Sequence, residues 1–343
     1  MPVSPVFRAI GGIGMTPLVS ICCTTYNHKQ YLAQAIDSFL AQITDFETEI
    51  LVHDDLSTDG TTEILKEYAA KYPDRIFPLY ETENQYSKGI PISETFNFPR
   101  ARGKYIAMCE GDDYWCDPNK LQKQIDAMEA DPGCTFSFTN ATIHDVSGEK
   151  PDRPFLPYYE SEQAFFAGHD AVYSLSDIAR LSFIPTASFV FRTDALRSLP
   201  ESFLARRCDH GDLRMKLYLT AAGHARYINI AGSVYRENVA GSAFQVWKSE
   251  DRAKLFARCE SVVGMVSDVD AYSKGTAHEA LEEIRHHYLT VMAHNAPDLN
   301  TLKNGELGEV FRSLPPSEQL RCSMKLILPE RVSEAVSAVL KGR

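Results

Sequence analysis

The fold is decided by the stretch at residues 18–27, which reads Leu-Val-Ser-Ile-Cys-Cys-Thr-Thr-Tyr-Asn. Its first part is almost entirely apolar, and it predicts a strand that is buried on both faces of its sheet. Because side chains alternate along a strand, Cys22 and Cys23 should then point to opposite faces. The polar residues that follow mark the point where this strand ends and a loop begins.

The same alternation of apolar strand and amphipathic helix continues to about residue 140. Further strands are predicted at 48–52, 76–80 and 105–108, and helices at 29–42 and from a cap at Asp59 to about residue 72. Repeated strand–helix–strand units predict an α/β fold with a largely parallel sheet covered on both faces. In such sheets ligands bind beyond the carboxyl ends of the strands.

Polar motifs follow three of the predicted strands, as that rule requires. They lie at residues 24–27, 53–55 and 110–113, after the first, second and fourth strand. The third motif continues as Glu110-Gly111-Asp112-Asp113-Tyr114-Trp115. Carboxylates packed beside an apolar strand are costly unless they bind a cation, and oxygen ligands suit Mg²⁺ or Mn²⁺. A solvated acidic turn is the alternative, but it does not account for the two aromatic residues.

Two other carboxylate positions have a functional and a structural interpretation. Asp54 and Asp55 end the second strand, where a carboxylate can accept a hydrogen bond from a uracil imide or a ribose hydroxyl. The same two residues also fit an ordinary capped turn. Asp212 begins a predicted amphipathic helix at 211–222, where the helix N-terminus keeps a carboxylate ionised. It is a candidate base, or simply a stabilising helix charge.

The remaining sequence predicts the domain organisation. Strands are predicted at 188–192 and 227–235, and the pattern becomes helical after Trp247, with a long helix at 278–294. We expect an N-terminal extension at 1–16, an α/β domain with halves at 17–140 and 141–245, and a helical C-terminal region at 246–343; the resemblance described below implies that the first half binds a nucleotide and the second an acceptor.

Composition limits the class of protein. The chain has 343 residues and a formal net charge of −11, which argues against a nucleic-acid partner. None of its eight cysteines forms a C-x-x-C pair, so we expect a reducing cytoplasm with no disulfide framework or zinc site. The sequence has no apolar run of membrane-spanning length and no signal-peptide pattern, so neither feature is expected.

Together these segments resemble the family 2 glycosyltransferases, which have the Rossmann-like GT-A fold. The resemblance covers roughly residues 17–242 and rests on ordered motifs. These are residues 19–27, 54–61, 101–107 and 110–115 with Pro118, Lys120 and Leu121, then 211–213 and 234–236. Each motif alone is moderate evidence, and their ordered combination is strong.

The resemblance implies roles for particular residues. The nucleotide of a UDP-sugar donor would be held by Thr25, Tyr26, Asn27, Asp54, Asp55 and Arg102, with Glu110 near the ribose. Asp112 would be the main ligand of Mn²⁺ or Mg²⁺ and would also face the donor, with Asp113 supporting the metal. Asp212 would be the catalytic base of an inverting transfer.

The chain departs from the family pattern at two positions that bear on the metal. Glu110 stands where the family usually has Asp. Glu237-Asn238 stands where many members carry a His that touches the metal, and Asn238 could supply a weak oxygen ligand in its place. Asp209 lies three residues before Asp212 and is an alternative base.

The implied function is transfer of a hexose or N-acetylhexosamine to a glycan or lipid-linked acceptor in bacterial surface polysaccharide, lipopolysaccharide or capsule synthesis. The alternatives are a nucleotidyltransferase that makes nucleotide-sugars and a catalytically silent nucleotide-sugar-binding module. From Arg321 onward basic and apolar residues alternate. This segment could contact the inner face of the plasma membrane, but packing on its own domain or in a homodimer is the commoner outcome.

Overall fold

The computed structural model describes residues 16–206, 208, 210–242 and 251–327. The strands are β1 (Val19–Thr25), β2 (Thr48–Asp54), β3 (Ile76–Tyr80), β4 (Tyr105–Met108), β5 (Tyr114–Trp115), β6 (Cys134–Asp145), β7 (Arg153–Pro154), β8 (Ala171–Tyr173), β9 (Val190–Arg192) and β10 (His224–Glu237). Most of the N-terminal extension and the end of the basic C-terminal segment lie outside the described residues.

Helices flank the sheet and then continue alone through the C-terminal region. They are α1 (Leu32–Leu40), α2 (Thr61–Lys71), α3 (Lys120–Glu129), α4 (Leu175–Arg180), α5 (Thr193–Arg197), α6 (Ser202–Ala205), α7 (Gly211–Ala221), α8 (Arg252–Tyr272), α9 (His278–Asn295), α10 (Leu299–Lys303), α11 (Gly305–Ser313) and α12 (Pro316–Ile327). In the described part of the chain, no helix is both long and apolar enough to cross a membrane.

The strands form one mixed, mostly parallel sheet in the order β3-β2-β1-β4-β9-β6-β10-β5. Strands β3, β2, β1 and β4 are parallel, as are β6 and β10, while β9 is antiparallel to both β4 and β6. Each face is covered by its own apolar cluster. Cys22 belongs to one cluster and Cys23 to the other, which confirms the prediction from the alternation along β1.

The C-terminal helices are part of the same core and not a loosely attached appendage. Val262 and Val266 of α8 and Leu281 of α9 lie in the apolar cluster that covers one face of the sheet. A further cluster, which includes Leu289 and Phe311, holds the helices to one another. This packing brings α8 beside α7, the helix whose first turn holds the candidate base, and places Tyr288 of α9 against His210 just before that helix.

One predicted property of α7 is wrong. The sequence predicted an amphipathic helix, but all of its residues from Leu213 to Thr220 are buried, including Arg214 and Lys216. The two cations are tolerated because each finds acceptors inside the protein. Arg214 pairs with Glu94, and the Nζ of Lys216 donates to the carbonyl groups of residues 181 and 182.

Candidate active site

The three polar motifs meet at the carboxyl edge of the parallel strands. The backbone N–H of Gly111 donates to the carbonyl oxygen of Thr24 at 2.9 Å, and that of Asp55 donates to the carbonyl oxygen of Thr25 at 3.0 Å. The loops that follow β2 and β4 are therefore both bound to the end of β1. The expectation that these motifs share one edge is confirmed.

The loops after β1 and β2 are also joined to each other by side chains. The Asn27 side-chain oxygen accepts the backbone N–H of Thr58 at 2.8 Å, and the Asn27 N–H donates to Ser57 Oγ at 2.9 Å. The Lys29 N–H donates to Asp59 Oδ2 at 3.0 Å. The amide oxygen of Asn27, one of the expected nucleotide contacts, is thus engaged in holding two loops together.

Asp54 and Asp55 are buried at the end of β2 and organise the surrounding backbone. Asp54 accepts the Ser57 N–H at 3.0 Å and the hydroxyl of Thr62. Asp55 accepts the backbone N–H groups of residues 85 and 86, at 2.8 and 3.0 Å, one on each oxygen. Both carboxylates therefore hold the loops that form the wall of the candidate nucleotide site.

Thr25 and Tyr26 face the site in different ways. Tyr26 leaves 46% of its surface exposed, which makes its ring accessible for stacking. Thr25 is buried, and its Oγ1 has no hydrogen-bond partner in the described part of the chain; the same is true of His28 Nδ1. Buried polar atoms without partners point to a ligand or water at this place.

Gly111 lies against these two side chains. A Cβ atom at Gly111 would stand 2.7 Å from Thr25 Oγ1 and 3.0 Å from His28 Nδ1. Distances this short require a neighbour to move. The glycine allows the acidic loop to pack directly on the end of β1.

Gly111→Ala is therefore expected to lower the free energy of unfolding by about 1–3 kcal/mol and to weaken nucleotide binding. Urea denaturation measures the first effect. Gly211→Ala is the matched control for stability, since a Cβ there meets nothing within 4 Å. Equal stability of the two variants would show that the contact between Gly111 and Thr25 is not tight in solution.

The acidic cluster Glu110, Asp112 and Asp113 strongly disfavours its own ionisation. Burial, followed by the charges of Asp112 and, more weakly, Asp212, raises the pKa of Glu110 to about 8. Burial and the charges of Asp112 and Glu110 also raise the pKa of Asp113 well above its usual value. A bound cation would relieve both effects. Asp112 itself is only partly buried, and its Oδ2 lies 3.7 Å from His28 Nε2.

Arg236 of β10 holds this cluster in place, a role that the sequence did not reveal. Its N–H donates to Asp113 Oδ1 at 2.8 Å, and its guanidinium donates to the Asp112 carbonyl and, at 2.5 Å, to Gln34. The guanidinium also lies over the Tyr31 and Tyr114 rings, 4.8 and 4.7 Å from their centroids. The sequence signal was the Tyr-Arg pair, but the partners Asp113 and Gln34 are 123 and 202 residues away from Arg236 in the chain.

Asp212 is partly buried in the first turn of α7, on the side of the acidic cluster. Its charge contributes to the raised pKa of Glu110. Burial and then the Asp212 charge also raise the pKa of Tyr288 on α9. Asp212 is therefore close enough to both Glu110 and Tyr288 to affect their ionisation. The alternative base, Asp209, is outside the described residues.

One expected contact is not brought to the site. Arg102 lies at the opposite, amino-terminal edge of the sheet, where its N–H and Nε donate to Glu49 at 2.8 and 2.7 Å. The prediction that Arg102 contacts the nucleotide is therefore wrong. The side-chain nitrogen of Asn238 donates to Asp145, at the end of β6, at 2.9 Å.

The metal ligands implied by the sequence are only a partial set. Among the described residues, no group of three or more His, Cys, Asp or Glu side chains is arranged to hold a metal ion. Asp113 is buried and already accepts one backbone N–H, which leaves Asp112 as the more accessible carboxylate. Any cation here would need further oxygen ligands from a bound substrate.

Comparison with known proteins identifies relatives of the sheet and its motifs. Residues 20–182 match the family model described as glycosyl transferase family 2. TuaG of Bacillus subtilis, whose name places it as a glycosyltransferase in teichuronic acid biosynthesis, is 35% identical over 137 residues, which cover 40% of this chain and 52% of TuaG. WfaP of Escherichia coli is 35% identical over 126 residues, covering 37% of this chain and 47% of WfaP; it is named UDP-Glc:alpha-D-GlcNAc-diphosphoundecaprenol beta-1,3-glucosyltransferase.

The match to solved structures extends further along the chain. The structure of S. aureus TarS 1-349 in complex with UDP-GlcNAc superposes with a TM-score of 0.52 over 94% of this chain and 88% of that one, at 17% identity. That similarity concerns the fold. The chain spans about half the length of the two curated relatives. Residues 20–182 are therefore similar to glycosyl transferase family 2, and the fold of the chain is GT-A.

Proposed function

We propose that this protein is an inverting, metal-dependent glycosyltransferase that moves a hexose or N-acetylhexosamine from a UDP-sugar to a hydroxyl group. The observation that carries the proposal is the acidic cluster at the carboxyl edge of the sheet, with Asp212 beside it. The first group suits a diphosphate–metal complex and the second suits an acceptor hydroxyl.

The names of the relatives support an acceptor on a bacterial surface polysaccharide. TuaG is assigned to teichuronic acid biosynthesis, and WfaP to a lipid-diphosphate-linked sugar. We extend that class to this chain as a glycan or lipid-linked acceptor. The proposed organisation is a nucleotide-binding half at 17–140, an acceptor half at 141–245 and a helical region at 246–343.

In the proposed donor site the nucleotide lies over the ends of β1 and β2. The exposed ring of Tyr26 would stack on the base, and the free hydroxyl of Thr25 would donate to or accept from the nucleotide. Asp54 and Asp55 would complete the wall that they already organise. Glu110 would lie near the ribose.

A divalent cation, Mn²⁺ or Mg²⁺, would neutralise charge on the diphosphate leaving group when it is bound at this site. Asp112 would be its main protein ligand, because its carboxylate is partly exposed. Asp113 would support the site through the hydrogen bond that it accepts from the backbone N–H of Arg236 in β10. The raised pKa values of Glu110 and Asp113 fit a site completed by positive charge.

In the proposed reaction Asp212 takes the proton from the acceptor hydroxyl. The acceptor oxygen forms a bond to the anomeric carbon while the bond from that carbon to the diphosphate oxygen breaks, and UDP leaves. Attack from the face opposite the leaving group inverts the anomeric configuration. Asp212 lies in the first turn of α7, where the partial positive charge of the helix N-terminus favours a carboxylate.

A thermal-shift series tests the donor site. UDP is expected to raise the melting temperature in the presence of Mn²⁺, by mass action on the folded state, and to raise it much less without the metal. The largest shift among UDP-sugars would indicate the donor. A shift with a nucleoside triphosphate but not with UDP would instead favour a nucleotidyltransferase, and no shift with any nucleotide would contradict the proposed site.

A further inference from the structure

A buried ion pair connects the donor side of the sheet to the helix that begins with Asp212. Glu94 follows β3 in the chain, and Arg214 lies two residues after Asp212 in α7. Their side chains are only 9% and 2% exposed, and the guanidinium of Arg214 donates to the Glu94 carboxylate. The pair is 120 residues apart in sequence and is not part of any motif that identified the family.

Glu94 is held firmly relative to the ends of β1 and β2. It lies in a short π-helix, Ser93–Asn97, a conformation that is rare and often marks functional sites. Asn97 is fully buried and donates to the carbonyl oxygen of Cys23 in β1 at 3.0 Å. Phe96 stacks on His53 of β2, with ring centroids 4.8 Å apart. The position of Glu94 therefore follows that of the strand ends that form the proposed donor site.

Arg214 holds the other side of the connection. Besides Glu94, its guanidinium donates to the carbonyl oxygen of Arg206 at 3.3 Å and lies over the Phe203 ring, 5.0 Å from its centroid. Arg206 directly follows α6, six residues before Asp212. One side chain thus contacts the segment that leads into α7 and the π-helix that rests on β1.

Stability alone is a weak reason for such a pair. Removing two charges from water is expensive, and replacing a buried ion pair by apolar residues of similar size is often neutral or stabilising. Position is a stronger reason, because a base displaced by about 1 Å can lose roughly 10²-fold in rate. Charges near Asp212 also include Glu110, Lys216 and, when ionised, Tyr288.

We propose that Glu94 and Arg214 form a positioning pair that fixes Asp212 relative to the donor-binding ends of β1 and β2. The inference rests on the proposed role of Asp212 as the base. Neither residue is assigned contact with a substrate. Their effect on the reaction would be exerted through the placement of α7.

The double variant Glu94→Met/Arg214→Met separates positioning from stability. Removing both charges leaves no unpaired buried ion, so its melting temperature and its UDP shift with Mn²⁺ should stay close to those of the unmodified protein. Its kcat for UDP release from UDP-glucose or UDP-N-acetylglucosamine should fall about 10- to 100-fold. Wild-type kcat in the double variant would overturn the proposal.

A second variant keeps the test decisive if the double variant does not fold. Glu94→Asp retains the charge but shortens the side chain by one methylene, and it should lower kcat with little change in the KM for the donor. Unchanged kcat in a folded Glu94→Asp protein would again contradict the proposal. The exposed pair Lys104 and Glu129 supplies a matched control, since Lys104→Met/Glu129→Met removes an ion pair with side chains 46% and 43% exposed.

Failure of the proposed function gives a different result from failure of this inference. If the unmodified protein releases no UDP from either donor and shows no shift with UDP, the function itself is wrong. If the unmodified protein is active and Asp212→Asn is inactive, but Glu94→Met/Arg214→Met and Glu94→Asp both keep full kcat, only the positioning role is wrong.

Discussion

Asp212→Asn is expected to lower the turnover of a UDP-sugar by roughly 10²- to 10⁴-fold, which is the usual contribution of a general base. The amide has nearly the shape of the carboxylate but cannot accept the acceptor's proton. Because the proposal assigns Asp212 a contact with the acceptor and none with the donor, affinity for UDP with Mn²⁺ should be unchanged. Steady-state release of UDP measures the first quantity, and thermal shift with UDP measures the second.

Two comparisons make this result interpretable. Asp74→Asn changes an exposed carboxylate in the turn before β3, at the amino-terminal edge of the sheet, and should leave both quantities as they are. If Asp212→Asn turned over within about tenfold of the unmodified protein, Asp212 would not be the base. Asp209→Asn would then be the variant to examine, and a loss there would transfer the proposed role to Asp209.

The fold was predictable because its decisive signals are local. Unbroken apolar runs such as that of β1 can be satisfied only by a strand covered on both faces, and the placement of Cys22 and Cys23 in different clusters follows from alternation alone. Polar residues directly after those runs had to gather at one edge of a parallel sheet. The same reasoning located the acidic cluster beside Thr25.

The burial of α7 could not be predicted, because it depends on distant partners. A helix with Arg214 and Lys216 in its middle suggests a solvated face when its sequence is considered alone. In the protein these cations meet Glu94 and the carbonyls of residues 181 and 182, which lie 120 and about 35 residues away. Long-range pairing of this kind leaves no periodic pattern in the sequence.

The sequence predicted the positions of the site residues more accurately than the hydrogen bonds that their side chains form. Asn27 and Asp55 lie where they were expected, but both are already engaged in joining loops. The role of Arg102 was inferred from its place in a motif, although that motif begins before β4, at the amino-terminal edge of the sheet. Residues before and after one parallel strand lie at opposite edges of the sheet, so a shared motif does not place both at the site.

Asp112→Asn is expected to have opposite effects on donor binding and on stability. As the main ligand of the proposed cation, its loss should reduce metal-dependent UDP affinity by at least about 100-fold, or ~2.7 kcal/mol. Without metal and nucleotide, however, the variant should melt at the same temperature as the unmodified protein or higher, because the Asp112 charge is one of those that oppose ionisation of Glu110 and Asp113.

Titration of UDP at fixed Mn²⁺ and melting in the presence of a chelator measure these two effects, with Asp74→Asn as the control. If Asp112 only stabilised the structure of its turn, the Asp112→Asn variant would lose both stability and UDP affinity. A variant that kept its Mn²⁺-dependent UDP binding would show that the cation is held elsewhere. In the proposed site the carboxylates repel one another and a bound cation offsets that repulsion. Only this arrangement predicts that Asp112→Asn weakens UDP binding while the metal-free variant is no less stable than the unmodified protein.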